Sequence, residues 1–136
     1  MTQAFRVAYA AVAILFVVGV LIQVFLAGMA AFGAGLWSSH VDFGYGVALL
    51  PLVLLLLAWP ARGGLVLLSL GLLVVAFVQT SLPYFRDDMP VIAALHPVNA
   101  LLVFGLGVVA ARRSIGLAAQ SRSGPASSAP SEDAAA

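Results

Sequence analysis

Four long apolar runs dominate the chain, and short polar or glycine-rich segments separate them. The runs cover residues 7–32, 40–59, 65–81 and 90–111. A helix needs about 20 apolar residues to cross the hydrocarbon core of a bilayer, and each run approaches or exceeds that length. The first run is also longer than the hydrophobic region of a cleaved signal peptide, which has roughly 7 to 15 residues. The pattern therefore predicts four transmembrane helices.

The connections between these runs predict how the helices pack. Residues 60–64 form a tight loop, so the second and third helices are expected to be antiparallel neighbours. The predicted fold is all-α, an integral membrane up-down antiparallel four-helix bundle that occupies residues 1–113. Residues 114–136 are rich in Ser, Ala, Pro and Gly, a composition that predicts a disordered cytoplasmic tail.

Composition places this bundle in lipid. Hydrophobic residues make up 63% of the chain and charged residues only 8%, whereas soluble domains carry about 25% charged residues. The outer faces of the helices must therefore contact a bilayer. A formal net charge of +1 with no basic stripe argues against a nucleic-acid partner. The chain has no Cys, so metal or cofactor chemistry would have to use His.

The distribution of arginines predicts the orientation. Four spans put both termini on one side of the membrane, and five of the six arginines lie on that side. By the positive-inside rule this side is the cytoplasm. The composition, with Arg as the only basic residue and abundant Ala and Gly, is typical of a GC-rich bacterium and predicts the bacterial plasma (inner) membrane. The five arginines are Arg6, Arg62, Arg112, Arg113 and Arg122, and only Arg86 lies on the other side.

Five polar side chains interrupt the predicted spans, and they are expected to share one level in the outer half of the bilayer. They are Gln23, His40, Gln79, His96 and Asn99. A polar group without a partner in hydrocarbon costs free energy, so each of them needs a partner. For the three amides we favour interhelical hydrogen bonds that stabilise the bundle, each worth about 0.6 to 2 kcal/mol.

The two histidines support two hypotheses. Helices two and four are diagonal in an up-down bundle, so His40 and His96 could face each other and act as axial ligands of a b-type heme iron. Small residues at Gly44, Ala93 and Ala100 would let a porphyrin approach the helices. Under the other hypothesis both histidines have only a packing role. Pro97 directly follows His96 and predicts a kink in helix four.

A family resemblance extends this interpretation. The segments Ile22–Gly28 and Leu95–Ala100, the latter with its His-Pro-Val-Asn motif, together with His40 and Gln79 resemble a bacterial family of small four-helix membrane proteins of unknown function. The resemblance covers residues 6–113 and implies no activity.

The arrangement is also similar to half of a heme A synthase, a membrane cytochrome in which histidines on helices two and four are axial heme ligands. That similarity implies His40 and His96 as the ligands and Arg86 as a partner for a propionate. Heme A synthases have two four-helix units and an acidic residue near the reactive heme, and both features are missing from this sequence. The similarity therefore implies electron transfer or heme handling rather than oxidation of the heme itself.

The sequence thus supports two function classes and assigns no catalytic residue. The first is a small multi-pass membrane protein that binds heme b between helices two and four, with Gln23, Gln79, Asn99 and Arg86 around the cofactor. The alternative is a non-catalytic scaffold or accessory subunit of a larger membrane complex or a homo-oligomer, in which the amides act as interhelical glue. An enzyme or quinone-binding module at the same site is a third, less favoured class.

Overall fold

A computed structural model describes residues 2–120 and confirms the predicted all-α fold with four long helical segments. Its elements are α1 (Thr2–Ala31), α2 (Trp37–Ala61), α3 (Leu65–Ser81), which continues as a 3-10 turn (Leu82–Phe85), α4 (Pro90–Ala93) and α5 (His96–Gln120). The structure begins α1 and α2 several residues earlier than the apolar runs do. Ser38 and Ser39 are polar, yet they form part of the first turn of α2.

Residues with positive φ follow the first two long helices. Gly33 follows α1 with a φ of 72°, the left-handed conformation that suits a helix C-terminus. After α2, three consecutive residues, Arg62, Gly63 and Gly64, have φ values of 60°, 69° and 71°. This reversal is tight enough to return α3 beside α2.

Each long helix packs against two others. α1 lies between α2 and α5, and α3 lies between the same two helices on the other side. Consecutive helices are therefore antiparallel neighbours, as predicted for α2 and α3. The α1–α3 and α2–α5 pairs are diagonal, which places the two histidine-bearing helices across the interior from each other.

The fourth span differs from the single kinked helix predicted over residues 90–111. Helix α4 ends at Ala93, and α5 begins at His96. A hydrogen bond from the Leu95 amide to the Ile92 carbonyl, 3.0 Å long, bridges the break. Pro97 lies in the first turn of α5, where no backbone donor is required, so the break precedes the proline instead of bending the helix there.

The C-terminal boundary also differs from the prediction. The tail was expected to begin at Ser114, but α5 continues to Gln120, and Ser114 is fully buried. Its hydroxyl donates to the carbonyls of Ala110 and Ala111 within the helix, so its polar group needs no water. Residues 121–136 of the predicted tail lie outside the described residues.

The buried positions recur with an offset of 56 residues. In α1, Tyr9, Ala13, Phe16 and Val20 are buried, and the positions 56 later are the four buried residues of α3: Leu65, Ser69, Leu72 and Ala76. In α2 and α5, the equivalent buried pairs are Val47 and Val103, Pro51 and Gly107, Leu54 and Ala110, and Ala58 and Ser114. The hairpins α1–α2 and α3–α5 therefore share much of their burial pattern, and we call positions that are 56 residues apart equivalent.

Packing is uneven along that axis. None of residues 21–46 is buried, and among residues 77–102 only Leu82 is buried. We call these two equivalent ranges the histidine half of the bundle, because they contain His40 and His96. The other half, which carries both ends of the described chain, contains the remaining hydrophobic core. The bundle is thus close-packed at one end and loosely packed at the other.

The outer surface is apolar along all four segments. Within residues 2–120, four helices are long and apolar enough to cross a membrane, when the 3-10 turn is counted with α3 and α4 is counted with α5. Large side chains such as Phe25, Leu67 and Leu101 are more than 60% exposed. In water such a surface would be costly, so it is suited to lipid.

Candidate functional site: a paired-histidine centre

In the first hairpin, Gln23 on α1 and His40 on α2 bind each other's backbone. The Gln23 amide nitrogen donates to the His40 carbonyl at 2.9 Å, and Nδ1 of His40 lies 3.1 Å from the Gln23 carbonyl oxygen. The two residues are 17 positions apart and sit on either side of the α1–α2 turn. This reciprocal pair ties the two helices together in the loosely packed half.

The second hairpin repeats the arrangement with Gln79 on α3 and His96 at the start of α5, again 17 positions apart. Nδ1 of His96 lies 2.9 Å from the Gln79 carbonyl oxygen. The Gln79 side chain, however, contacts the ring itself: its amide nitrogen lies 3.2 Å from Nε2 of His96. Asn99 completes this cluster by donating to Gln79 Oε1 at 2.7 Å and to the Val75 carbonyl at 3.0 Å.

These contacts determine which ring nitrogens carry protons. A backbone carbonyl can only accept, so Nδ1 of each histidine must be the donor. Nε2 of His96 then faces an amide nitrogen, which can only donate, so it accepts with its lone pair. His96 is therefore neutral with its proton on Nδ1. A histidine held through Nδ1–H by a carbonyl is also the usual preparation of an imidazole for metal binding through Nε2.

The two imidazoles meet in the interior. The ring centroids of His40 and His96 are 6.1 Å apart, and the ring planes are inclined at 77°. His40 is also in edge-to-face contact with Trp37, at a centroid distance of 6.1 Å. The two histidines occupy equivalent positions of the two hairpins, 56 residues apart.

The two halves of the site differ chemically. The position equivalent to Asn99 in the first hairpin is Phe43, which cannot orient an amide. The Gln23 side chain accordingly binds the backbone of His40 instead of its ring. Gln23 Oε1 is buried and has no hydrogen-bond partner among the described residues. A buried acceptor of this kind is a place where water or a ligand would donate a hydrogen bond.

The small residues have a different role from the one predicted at Gly44. A side chain there would collide with the Gln23 amide nitrogen, so Gly44 makes room for Gln23 rather than for a porphyrin. Ala93 and Ala100 are only partly exposed and stay available as small lining residues.

Arg86 is not part of this cluster. It lies in the loop between the 3-10 turn and α4, its side chain is 77% exposed, and its Nε is 3.5 Å from Asp87 Oδ2. The structure therefore brings together five of the six candidate residues. The sixth, which was expected to bind a propionate, is paired with its neighbour in the chain.

Sequence reasoning missed two hydroxyl pairs. At the rim of the histidine half the hydroxyls of Tyr45 and Tyr84 are 3.1 Å apart. In the close-packed half the Tyr9 hydroxyl lies 2.8 Å from Ser69 Oγ, and both residues are fully buried. A Tyr or Ser in an apolar run has no periodic signal that distinguishes it from an interfacial residue, so only the packing shows these contacts.

Two open depressions of the surface lie at the end of the bundle that carries the arginines, away from the histidines. One is lined by Thr2, Phe5, Trp59, Pro60 and Arg62, and the other by Val7, Ala10, Ile115, Ala118 and Ala119. The histidine site lies in the loosely packed half of the bundle.

The paired histidines suit ligation of a heme iron in three respects. Two imidazoles from diagonal helices approach each other, with ring centroids 6.1 Å apart and ring planes inclined at 77°. Each ring is oriented through Nδ1, and the surrounding half of the bundle is loosely packed. One contact opposes ligation, because the Gln79 amide occupies the lone pair of His96 Nε2.

The fold and the site define an all-α protein built from two helical hairpins, and its four apolar segments indicate a multi-pass membrane protein. Residues 23–84 match a family of unknown function, DUF6220. That segment includes Gln23, His40 and Gln79 and ends before His96, so the His-Pro-Val-Asn motif lies outside the match. No curated protein and no solved structure matches the chain.

Proposed function

We propose that this protein binds a b-type heme in the histidine half, where Nε2 of His40 and Nε2 of His96 would hold the heme iron. The observation that carries the proposal is the meeting of two equivalent imidazoles at a centroid separation of 6.1 Å, each oriented by a backbone carbonyl. When bound, the heme would supply one-electron redox chemistry, which suits electron transfer or heme handling.

The donor set favours heme over a bare metal ion. Among the described residues no group of three or more His, Cys, Asp or Glu side chains could hold a metal ion. Structural zinc generally needs four protein ligands and catalytic zinc three. A porphyrin supplies four nitrogen ligands of its own, so two imidazoles complete the coordination of its iron.

The protein's own residues would orient and seal the site. The carbonyls of Gln23 and Gln79 hold each ring by its Nδ1 proton, which fixes the tautomer and raises the basicity of Nε2. Trp37 covers the edge of the His40 ring. The intrahairpin contacts hold both imidazoles in place without filling the region between the helices.

The proposed setting is the plasma membrane of a bacterium, with both termini in the cytoplasm and the histidine half toward the outside. The arginines support this orientation. Arg6, Arg62, Arg112 and Arg113 belong to the end of the bundle opposite the histidines, while Arg86 lies in the loop at the histidine end, between the 3-10 turn and α4. The heme would then lie close to the outer surface, within reach of an external electron donor or acceptor.

Spectroscopy of the full chain tests the proposal. Protein purified from heme-sufficient cells should show a b-type band at stoichiometric level in a reduced-minus-oxidised spectrum. The variants His40→Asn and His96→Asn each keep an N–H donor near the Nδ1 position but remove Nε2. Each should remove or shift the band while circular dichroism and gel filtration still report a folded helical protein.

Tyr84→Phe provides the matched control, since it removes one rim hydroxyl and leaves both imidazoles intact. Its band should equal that of the unmodified chain. A chain without a stoichiometric band, or a band that is indifferent to both histidine substitutions, would refute heme ligation by this pair.

A second candidate function is a non-catalytic scaffold or accessory subunit of a membrane complex. It is favoured by the bonding of all three amides within the bundle, where Gln23, Gln79 and Asn99 each link two neighbouring helices. These contacts account for the polar residues without a cofactor. Purification in a gentle detergent should then recover stoichiometric partner chains, and recovery of the isolated chain alone would count against this function.

A further inference from the structure

The two proposed heme ligands differ in how accessible their lone pairs are. Nε2 of His96 accepts a hydrogen bond from the Gln79 amide, at 3.2 Å. In the first hairpin the Gln23 amide donates to the His40 backbone instead. No hydrogen bond to Nε2 of His40 is found among the described residues. The side chain of Gln79 therefore bonds to the ring of its histidine, whereas the side chain of Gln23 bonds to the backbone of its histidine.

Asn99 accounts for this difference. Its side-chain nitrogen donates to Gln79 Oε1 at 2.7 Å, so Oε1 must face Asn99 and the Gln79 amide nitrogen must face the ring. The same nitrogen donates to the Val75 carbonyl at 3.0 Å, which fixes Asn99 against α3. Phe43, the equivalent residue in the first hairpin, offers no donor to Gln23. Only the second hairpin thus holds its glutamine against the imidazole.

We propose that Gln79, oriented by Asn99, is a positioning residue that competes with a heme iron for Nε2 of His96. His40 is then the first ligand to bind iron, and His96 is the second, exchangeable ligand. This inference rests on the proposed heme function and assigns the two histidines unequal roles within it.

The exchange is chemically simple. His96 is already neutral with its proton on Nδ1, so ligation releases no proton. For His96 to hold iron, the hydrogen bond from Gln79 to Nε2 would have to break, because the same lone pair would be needed for the bond to iron. A neutral hydrogen bond contributes about 0.5 to 1.5 kcal/mol net, so its loss should lower heme affinity about two- to tenfold relative to a site without Gln79.

Titration of the purified full chain with hemin tests this inference. Gln79→Leu removes the competing donor and should raise hemin affinity about two- to tenfold, with a larger six-coordinate low-spin fraction in the absorption spectrum. Asn99→Leu leaves the Gln79 amide unoriented and should change both readouts in the same direction by a smaller factor. Two independent substitutions protect the test against a variant that fails to fold.

The first hairpin supplies the matched control. Gln23→Leu removes the equivalent amide, which does not touch an imidazole nitrogen, so it should not raise hemin affinity. A second control uses the His96→Asn chain, in which hemin should bind through His40 alone as a high-spin species. In that background Gln79→Leu should have no effect on hemin affinity, because the Nε2 atom of His96, for which Gln79 and iron compete, is absent.

The outcomes separate the two proposals. If the unmodified chain binds hemin but neither Gln79→Leu nor Asn99→Leu raises its affinity, competition by Gln79 is refuted while heme ligation stands. The same holds if Gln23→Leu raises affinity as much as Gln79→Leu does. If neither the unmodified chain nor any folded variant binds hemin, the heme function itself is refuted. The proposal that His40 and His96 have unequal roles is then refuted as well.

Discussion

Tyr9 and Ser69 show how one hydrogen atom decides the energetics of a buried contact. The Ser69 hydroxyl donates to the Leu65 carbonyl at 2.9 Å, so its proton is already used. The Tyr9 hydroxyl must therefore be the donor in the 2.8 Å contact with Ser69 Oγ. Loss of the contact therefore affects the two hydroxyls unequally. The Ser69 hydroxyl keeps the Leu65 carbonyl as its acceptor, whereas the Tyr9 hydroxyl loses the acceptor it has in this contact.

This direction predicts unequal mutational effects. Tyr9→Phe removes a donor and leaves Ser69 bound to Leu65, so it should destabilise the bundle by about 1 kcal/mol. Ser69→Ala strands the buried Tyr9 hydroxyl and should cost about 1 to 3 kcal/mol. Unfolding in mixed detergent micelles, followed by circular dichroism, measures both changes in the free energy of unfolding.

The double variant is the control for that comparison. Once Tyr9 is Phe, the further change Ser69→Ala strands no donor, so it should cost less than it does in the unmodified chain. Equal costs in both backgrounds would contradict the assigned direction of the hydrogen bond.

The sequence identifies the polar residues of the site wherever they interrupt an apolar run. Gln23, His40, Gln79, His96 and Asn99 stand out because an amide or imidazole in an apolar run needs a partner, and the structure gives each of them one. Their partners were not predictable. The two glutamines have the same spacing to their histidines, yet their amides bind different atoms, because that choice depends on a third residue from another turn.

Helix α5 shows the limits of reading an element from composition. The Ala, Ser and Gly content of residues 114–120 is typical of a linker, and it is equally typical of a helix that packs closely. The distinction lies in spacing: Gly107, Ala110, Ser114 and Ala118 are buried three or four residues apart and continue one face of α5. The Gln3 side chain donates to the Ala118 carbonyl at 2.9 Å and so ties this last turn to α1.

Bulky substitutions in this segment test whether its helix is packed. Ser114→Phe inserts a large ring at a fully buried position and should destabilise the bundle by about 1 to 3 kcal/mol. Ile115→Phe, at the neighbouring position that is 48% exposed, should change stability by less than about 0.5 kcal/mol. Thermal unfolding in detergent measures both. Equal tolerance of the two changes would show that residues after Arg113 do not pack on α1.

The break before α5 has a related cause. Pro97 predicts an interruption of the fourth span, but a proline is disruptive only where its missing donor is needed. Starting a new helix at His96 places Pro97 where no donor is required. The sequence therefore indicates that the fourth span is interrupted. The position of the interruption depends on how residues 90–95 pack against the 3-10 turn.

The arrangement of the complete bundle was predictable in outline from run lengths and loop lengths. Four runs with a tight connection between the second and third leave few topologies, and the diagonal placement of α2 and α5 follows. The internal repeat was not recognised, although the pairs Gln23–His40 and Gln79–His96 share one spacing. Few other identical residues recur at the 56-residue offset, so only the burial pattern makes the repeat evident.

The orientation proposed for the whole protein can be tested without removing any native thiol, because the chain has no Cys. A single Asp88→Cys, in the loop between the 3-10 turn and α4 at the histidine end of the bundle, should react with a membrane-impermeant maleimide in intact cells. A single Gln120→Cys, at the end of α5, should react only after the cells are permeabilised.

Reactivity of the unmodified chain gives the background, and circular dichroism of both variants confirms that they fold. Labelling of the Gln120→Cys chain in intact cells, with no labelling of Asp88→Cys, would invert the proposed orientation. Labelling of both in intact cells would contradict the topology itself.

The similar burial of the two hairpins also bears on the symmetry that the site can have. A chain with only one such hairpin could build the same architecture as a homodimer, in which symmetry would make the two imidazoles identical. A single chain that carries both hairpins has no such constraint, so the two can differ residue by residue. Asn99 in one hairpin and Phe43 at the equivalent position of the other are a difference that a symmetric homodimer could not carry.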